Sequence, residues 1–316
     1  MDMIGHYDKP FVAVGDARTL NVSMQLQRFA LEFGGCAMNI AYTLSLLGCR
    51  PLPVVRAGLD FHDGYAQHLK RLGIDSSGVL VDERFAYSSR CVILSDALGN
   101  QLTAFFPGSS AADAARDRPH IDAGELAHRH DCRLAIVAPD VAETMIRHAR
   151  ALSTAGVPFI TDPGQGLADF TPDELRALLQ HTRHLVVNAM EWRTVQSLLD
   201  TDAASILNNL AWLVVTCGDA GAELLRPDAA SVLIGAVPPA THVDHTGCGD
   251  ALRAGLACGL VHGCALEDAL RIGVLAATCN LEVAGCQRHV FTATAFAARY
   301  EAAFVRAWPL PEVASR

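Results

Sequence analysis

The chain has 316 residues, 51% of them hydrophobic and 19% charged, with a formal net charge of −9. That length suffices for a full core, the composition excludes intrinsic disorder, and an acidic balance without a Lys/Arg run excludes a broad nucleic-acid surface. No apolar run approaches the roughly 18 residues of a membrane helix, and Met1–His6 lacks the basic and apolar regions of a secretory signal, so a cytoplasmic protein is expected.

In chain order, Phe11–Val14 is a short apolar run closed by Gly15 and Asp16. Ala37–Leu47 places Ile40, Leu44 and Leu47 on one helical face and stops at Gly48. Cys91–Ser95 and Gln101–Phe106 are strand-like and flank the turn-rich Asp96–Asn100, which predicts an antiparallel hairpin. Such a hairpin is either a lid over a site or an edge without function. From Arg133 the pattern alternates. Strands are predicted at Arg133–Pro139, Val157–Thr161, His184–Asn188 and Trp212–Cys217. Helices are predicted at Asp140–Ala155, Thr171–Gln180, Glu191–Leu199 and around Ala203–Asn209. Short strands joined by longer helices indicate βαβ units, hence an α/β fold with a doubly wound, mostly parallel sheet. Asp250–Ala284 and Thr294–Arg306 read as helical. Without internal repeats or low-complexity linkers, residues 1–316 are expected to form one domain, with lid segments near 9–34 and 88–108 inserted in it.

The ten cysteines are scattered with no C-x-x-C pair, and the thirteen histidines show no H-E-x-x-H. They read as reduced thiols serving as small hydrophobes, and no metal cluster is expected.

The strongest chemical signal is Asp244-His245-Thr246-Gly247-Cys248-Gly249-Asp250, at the start of a helix predicted over Ala251–Leu260. Glycines allow a tight turn, and the free N–H groups and positive dipole end of a helix start make an anion site. Asp250 beside such a site is placed either to accept a proton from an attacking hydroxyl or merely to cap the helix. No G-x-x-x-x-G-K-[ST] exists in the chain, and the segment lacks the third glycine of a dinucleotide-binding turn.

The segment resembles the D-[TP]-T-G-[AC]-G-D signature of the ribokinase-like (PfkB) sugar and nucleoside kinases. Gly34-Gly35-Cys36-Ala37-Met38-Asn39 is similar to the family's G-G-x-x-x-N, Asn188-Ala189-Met190-Glu191 to its N-x-x-E, and Thr216–Gly221 to its T-x-G-x-x-G. All four stand in the family's order across most of the chain. Glu32–Tyr42, Thr103–Gly108, Phe159–Leu167 and Thr246–Asp250 resemble the bacterial adenosine and nucleoside kinases in particular.

The resemblance implies an ATP-dependent kinase of the nucleoside 5′-hydroxyl, adenosine foremost, with a free sugar or a non-catalytic nucleoside-binding relative as alternatives. Asp250 would be the base, and the amides of Gly247, Cys248 and Gly249 would stabilise the transferred phosphoryl group. Gly34, Gly35 and Asn39 would meet the sugar. Phe105 would stack on the base or else lie in the core, and Gln165 would reach the base or ribose or else sit in an exposed turn. Asn188, Thr216, Gly218 and Gly221 would line the ATP site, with Glu191 holding Mg²⁺ through water. Potassium activation is implied by the family alone. Exposed lid strands would allow a monomer or a homodimer.

The chain departs from the family pattern at its amino terminus, where a first strand and a sugar-gripping Asp are expected. Phe11–Asp16 imitates that element but lies too close to Gly34 for the usual lid strands. The alternative register places Asp2 near the gripping position, with Asp16 as its rival. It implies a missing first strand, through a late start codon, truncation or real loss. Such a loss would leave unpaired backbone in the sheet. His245 and Met38 are smaller departures, and Met38 would narrow the sugar pocket.

Overall fold

The structure, a computed structural model, describes residues 2–7, 9, 23–97, 101–112 and 121–310. Phe11–Asp16, with the rival Asp16, lies outside them. The chain enters as β1 (Asp2–His6), paired antiparallel with β2 (Arg28–Glu32). Helix α1 (Cys36–Leu46) leads to β3 (Val55–Ala57), α2 (Tyr65–Leu72) and β4 (Val79–Val81), the last pairing in parallel with β3. The predicted hairpin is present as β5 (Arg90–Ser95) and β6 (Gln101–Phe106). Because β1 pairs in parallel with β5, these strands form one sheet of order β2-β1-β5-β6. The small sheet therefore takes in residues 2–6 as well as parts of both expected lid segments.

Register sorts the small sheet's side chains onto two faces. Phe29, Leu31, Leu102 and Phe106 share one face and are exposed, while Asp2, Ile93 and Phe105 share the other.

After α3 (Ala123–Arg129) the predicted alternation appears: β7 (Ala135–Val137), α4 (Ala142–Thr154), β8 (Phe159–Thr161), α5 (Pro172–Leu179), β9 (His184–Asn188), α6 (Ala189–Leu199), α7 (Ala203–Leu207) and β10 (Trp212–Thr216). Strands β7 to β10 pair in parallel, and β11 (Ala222–Leu225) and β12 (Val232–Ile234) add an antiparallel edge. Among the described residues β7 is the other edge, and no strand from the amino-terminal region joins this sheet. Asp2 opens the small sheet instead.

The apolar runs of β9 and β10 are continuous because both sheet faces are covered. Leu185, Val187, Leu213 and Val215 pack with Met145, Leu175 and Val195 on one side. Val186 and Val214 pack with Leu256, Leu270 and Leu275 on the other. Those last residues belong to α8 (Cys248–Val261) and α9 (Leu266–Leu281), which precede α10 (Ala293–Phe304). The region read as helical over Asp250–Ala284 is thus two helices, parted at Gly263, whose φ of 78° ends α8. Helix α8 is apolar nearly all round and buried accordingly. A Cβ on Gly255 would lie 2.6 Å from the Gly273 Cα, so α8 and α9 cross almost backbone to backbone.

A buried histidine ties α1 to the carboxy-terminal segment. His289 Nε2 lies 3.0 Å from the Thr43 hydroxyl, and Tyr42 donates its hydroxyl to the His289 carbonyl at 2.6 Å. Burial lowers its imidazole to about 4, so the folded state prefers the neutral ring. A depressed histidine pKa contributes stability above the unfolded value near 6.5 and loses it as pH falls toward 4. The loss amounts to about 3 kcal/mol. Denaturant midpoints are expected to fall across that window and to fall less in His289→Gln; equal slopes would exclude His289 as the cause.

Candidate active site

Helix α8 begins at Gly247, whose left-handed φ of 83° turns the loop into the helix. Asp244 braces that loop, accepting from the Thr246 amide at 2.9 Å and the Gly285 amide at 3.2 Å. Gly247 is the cap residue, so Asp250, third in the helix, is not the plain helix cap that its sequence position also allowed. Its buried carboxylate instead accepts from Asn39 Nδ2 at 2.9 Å. Burial pushes the Asp250 carboxyl up; Arg253, Asn39 and the Cys36 thiol oppose that shift, and the charge of Asp2 adds to it. The amide of Cys248 donates to the His245 carbonyl at 3.2 Å within the turn.

Asn39 is held from its other side. Gln287 Nε2 donates to Asn39 Oδ1 at 2.9 Å and contacts the Tyr65 hydroxyl at 2.8 Å, while Gln287 Oε1 meets His68 Nε2 at 2.9 Å. Tyr65 donates onward to the Gly34 carbonyl at 2.9 Å. The amide of Asn39 is therefore fixed in orientation, with its N–H side toward Asp250. Gln287, Tyr65 and His68 were not found in the sequence, since only the fold brings α2 and residue 287 to α1. Met38 is buried in the cluster of Ala57, Phe61 and Tyr65, where it packs the core beside this network.

The small sheet closes one side. Asp2 accepts the Cys91 amide at 3.0 Å, and burial raises its carboxyl. A Cβ at Gly34 would stand 1.8 Å from Asp2 Oδ2, so only glycine admits this carboxylate against the start of α1. Gly35 caps α1 with a φ of 98° and open space about it. Phe105 lies opposite Cys91 on β6 and is 62% exposed, which removes the core alternative for it. Arg288 pairs with Glu32 at 2.8 Å, tying β2 to the loop beside Gln287.

Beneath the α8 turn lies a buried charge that the motifs did not reveal. Arg253 Nε stands 2.5 Å from Asp162 Oδ2, and its Nη1 is 4.0 Å from Asp250 Oδ1. The first contact is a close, buried charge pair. Burial raises Asp162 to about 7, Arg253 opposing it and Glu191 and Asp250 adding to it. The same guanidinium touches Gly249, where a Cβ would meet Nη1 at 2.6 Å. A helical i,i+3 spacing places Arg253 under Asp250, and Asp162 follows directly on β8.

The remaining predicted residues gather at the carboxyl ends of β8 to β10, where open α/β sheets bind ligands. Thr216 and Asn188 are neighbours in register, and Gly218 and Gly221 shape the turn after β10 with φ of 56° and 100°. Asn188 and Glu191 form a capping box on α6: Asn188 Oδ1 accepts from the Glu191 amide at 2.8 Å, and Glu191 Oε2 from the Asn188 amide at 2.7 Å. Both side chains thus have a structural occupation, and the box fixes the direction of the Glu191 carboxylate. Carboxylate and amide oxygens are the hard donors that suit magnesium, and the charge of Glu191 reaches Asp162 together with that of Asp250. Gln165 is exposed in the 3-10 turn after Asp162.

The model of the pfkB carbohydrate kinase family matches residues 3–293. The chain is 28% identical over 273 residues to the nucleoside kinase of Methanocaldococcus jannaschii, covering 86% of each. It superposes on the Burkholderia thailandensis nucleoside kinase in complex with inosine with a TM-score of 0.88 at 33% identity, covering 98% of this chain and 97% of that one. Against the same enzyme with ADP and inosine the TM-score is 0.86 at 32% identity, with 99% and 96% covered.

Proposed function

The chain belongs to the pfkB family of carbohydrate kinases, and within it we propose an ATP-dependent kinase of the nucleoside 5′-hydroxyl, acting on purine nucleosides with adenosine first among them. The observation that carries this reading is Asp250, buried at the start of α8 beside the Gly247 turn and hydrogen-bonded to Asn39. In the proposed reaction the substrate hydroxyl oxygen attacks the terminal phosphorus of ATP, the bond to the bridging oxygen breaks, ADP leaves and the hydroxyl proton passes to Asp250. Gly247 and Gly249 supply the turn that faces the charge developing on the phosphoryl oxygens. Asp2 and Asn39 hold sugar hydroxyls, and the small sheet acts as a lid that excludes water. Magnesium would neutralise charge on the ATP phosphates, and Glu191 and Asn188 are the residues that would hold it, through water.

ADP release with ATP and Mg²⁺, with and without K⁺, measured against adenosine, inosine, cytidine, ribose and fructose, tests the proposal. Adenosine- or inosine-dependent turnover supports it, and the better of the two sets base preference, inosine being the nucleoside bound by the Burkholderia enzyme. Turnover on ribose or fructose alone would replace the nucleoside by a sugar, and nucleoside binding without ADP release would make the chain a binding protein.

Two substitutions probe the substrate side. Base stacking is worth about 1–3 kcal/mol, so Phe105→Ala is expected to raise the adenosine KM by about 5- to 150-fold and to leave ribose kinetics unchanged; equal effects on both would remove Phe105 from the base. Gly34→Ala displaces the Asp2 carboxylate, and a misplacement of this size is expected to lower kcat/KM about 100-fold. A kcat/KM within a few-fold of wild type would show that Asp2 does not hold the sugar.

A further inference from the structure

The far ends of α1 and α8 carry a second cluster of functional groups, unrelated to the anion turn. Gly48, with a φ of 81°, reverses the chain after α1 and delivers Cys49 against α8. There Cys258 is fully buried, its Sγ 3.8 Å from His262 Nδ1 and 3.9 Å from the Leu47 carbonyl. The sulfur atoms of both cysteines and a ring nitrogen of His262 all lie within 4.8 Å of one another.

We propose that Cys49, Cys258 and His262 form a binding site for a thiophilic divalent ion, zinc foremost, with water as the fourth ligand. Tetrahedral zinc with bonds of about 2.3 Å to sulfur and about 2.0 Å to nitrogen needs ligand atoms about 3.5–3.8 Å apart. The Cys258–His262 separation of 3.8 Å already meets that requirement. His262 caps α8 four residues after Cys258, the spacing that puts both side chains on one face. The two are a ligand pair close in sequence, of a kind that neither C-x-x-C nor H-E-x-x-H describes. Sulfur and imidazole donors select zinc over magnesium.

Binding releases the two thiol protons to solvent and exchanges the 2.8 Å hydrogen bond between His262 Nδ1 and the Cys258 carbonyl for a bond to the metal. The ion would staple α1 to α8 about 12–15 Å along the helices from Asn39 and Asp250, given about 1.5 Å of rise per residue. The two helices that hold the candidate base and its partner would then be fastened at both ends.

Zinc titration of the EDTA-treated full chain against a chromophoric chelator, in excess Mg²⁺ to fill oxygen sites, tests the proposal alongside the melting temperature. One equivalent is expected to bind and to raise the melting temperature. Because Cys258 is buried, the informative variants are at the more accessible ligands: Cys49→Ser and His262→Gln should each weaken binding at least tenfold and abolish the rise. Cys279→Ser, outside the cluster, should change neither. Less than one equivalent bound, undiminished binding in both ligand variants, or an equal loss in Cys279→Ser would overturn the site.

Discussion

Asp250→Asn is expected to lower kcat about 10²- to 10⁴-fold, the range contributed by a positioned general base, while nucleoside affinity stays within a few-fold. The amide keeps an oxygen that can accept from Asn39 Nδ2, so the network through Gln287 and Tyr65 survives the change. What it loses is the ability to take a proton. The pH profile supplies an independent readout. Burial raises the Asp250 carboxyl, so the acid limb of kcat in the wild type should lie above the ordinary carboxylate range, with activity lost as pH falls through it. The charge of Asp2 contributes to that rise, so Asp2→Asn should move the limb downward in saturating nucleoside. Near-normal turnover in Asp250→Asn would take Asp250 out of the role of base.

The central sheet and Asp250 could be read from the sequence for the same reason: their signals are local. His184–Asn188 and Trp212–Thr216 are uninterrupted apolar runs because both faces of those strands are covered, and turn-forming residues bound them. The glycines of the α8 turn and of the start of α1 announce themselves because tight backbone geometry restricts the residue type. Groups that meet only through the fold were not legible. Gln287 reaches Asn39 across 248 residues of chain, and Arg253 finds Asp162 only once α8 packs against the end of β8. Strands β3 and β4, three residues each, are too short to carry a period. The Cys49–His262 cluster escaped because one of its ligands comes from a different helix end.

Arg253 gives the second large expectation, because a lone cation there faces two buried carboxylates, 2.5 Å from Asp162 and 4.0 Å from Asp250. Arg253→Met keeps much of the side chain's volume and removes its charge. Removing one partner of a buried ion pair costs about 3–5 kcal/mol, so urea midpoints should drop markedly. Arg253 is the strongest influence holding Asp250 down against burial. In the variant the acid limb of kcat should therefore move to higher pH, leaving less ionised base at neutrality. A purely structural role predicts the stability loss without the displaced limb. The double variant Arg253→Met/Asp162→Asn separates the two effects. Neutralising Asp162 removes the uncompensated charge, and stability should recover relative to the single variant, a coupling that a double-mutant cycle measures directly. The acid limb should recover only in part, because Asp250 still lacks its counterion. If the single variant unfolds within about 1 kcal/mol of wild type and its limb stays in place, the cation beneath the α8 turn neither supports the fold nor tunes the base.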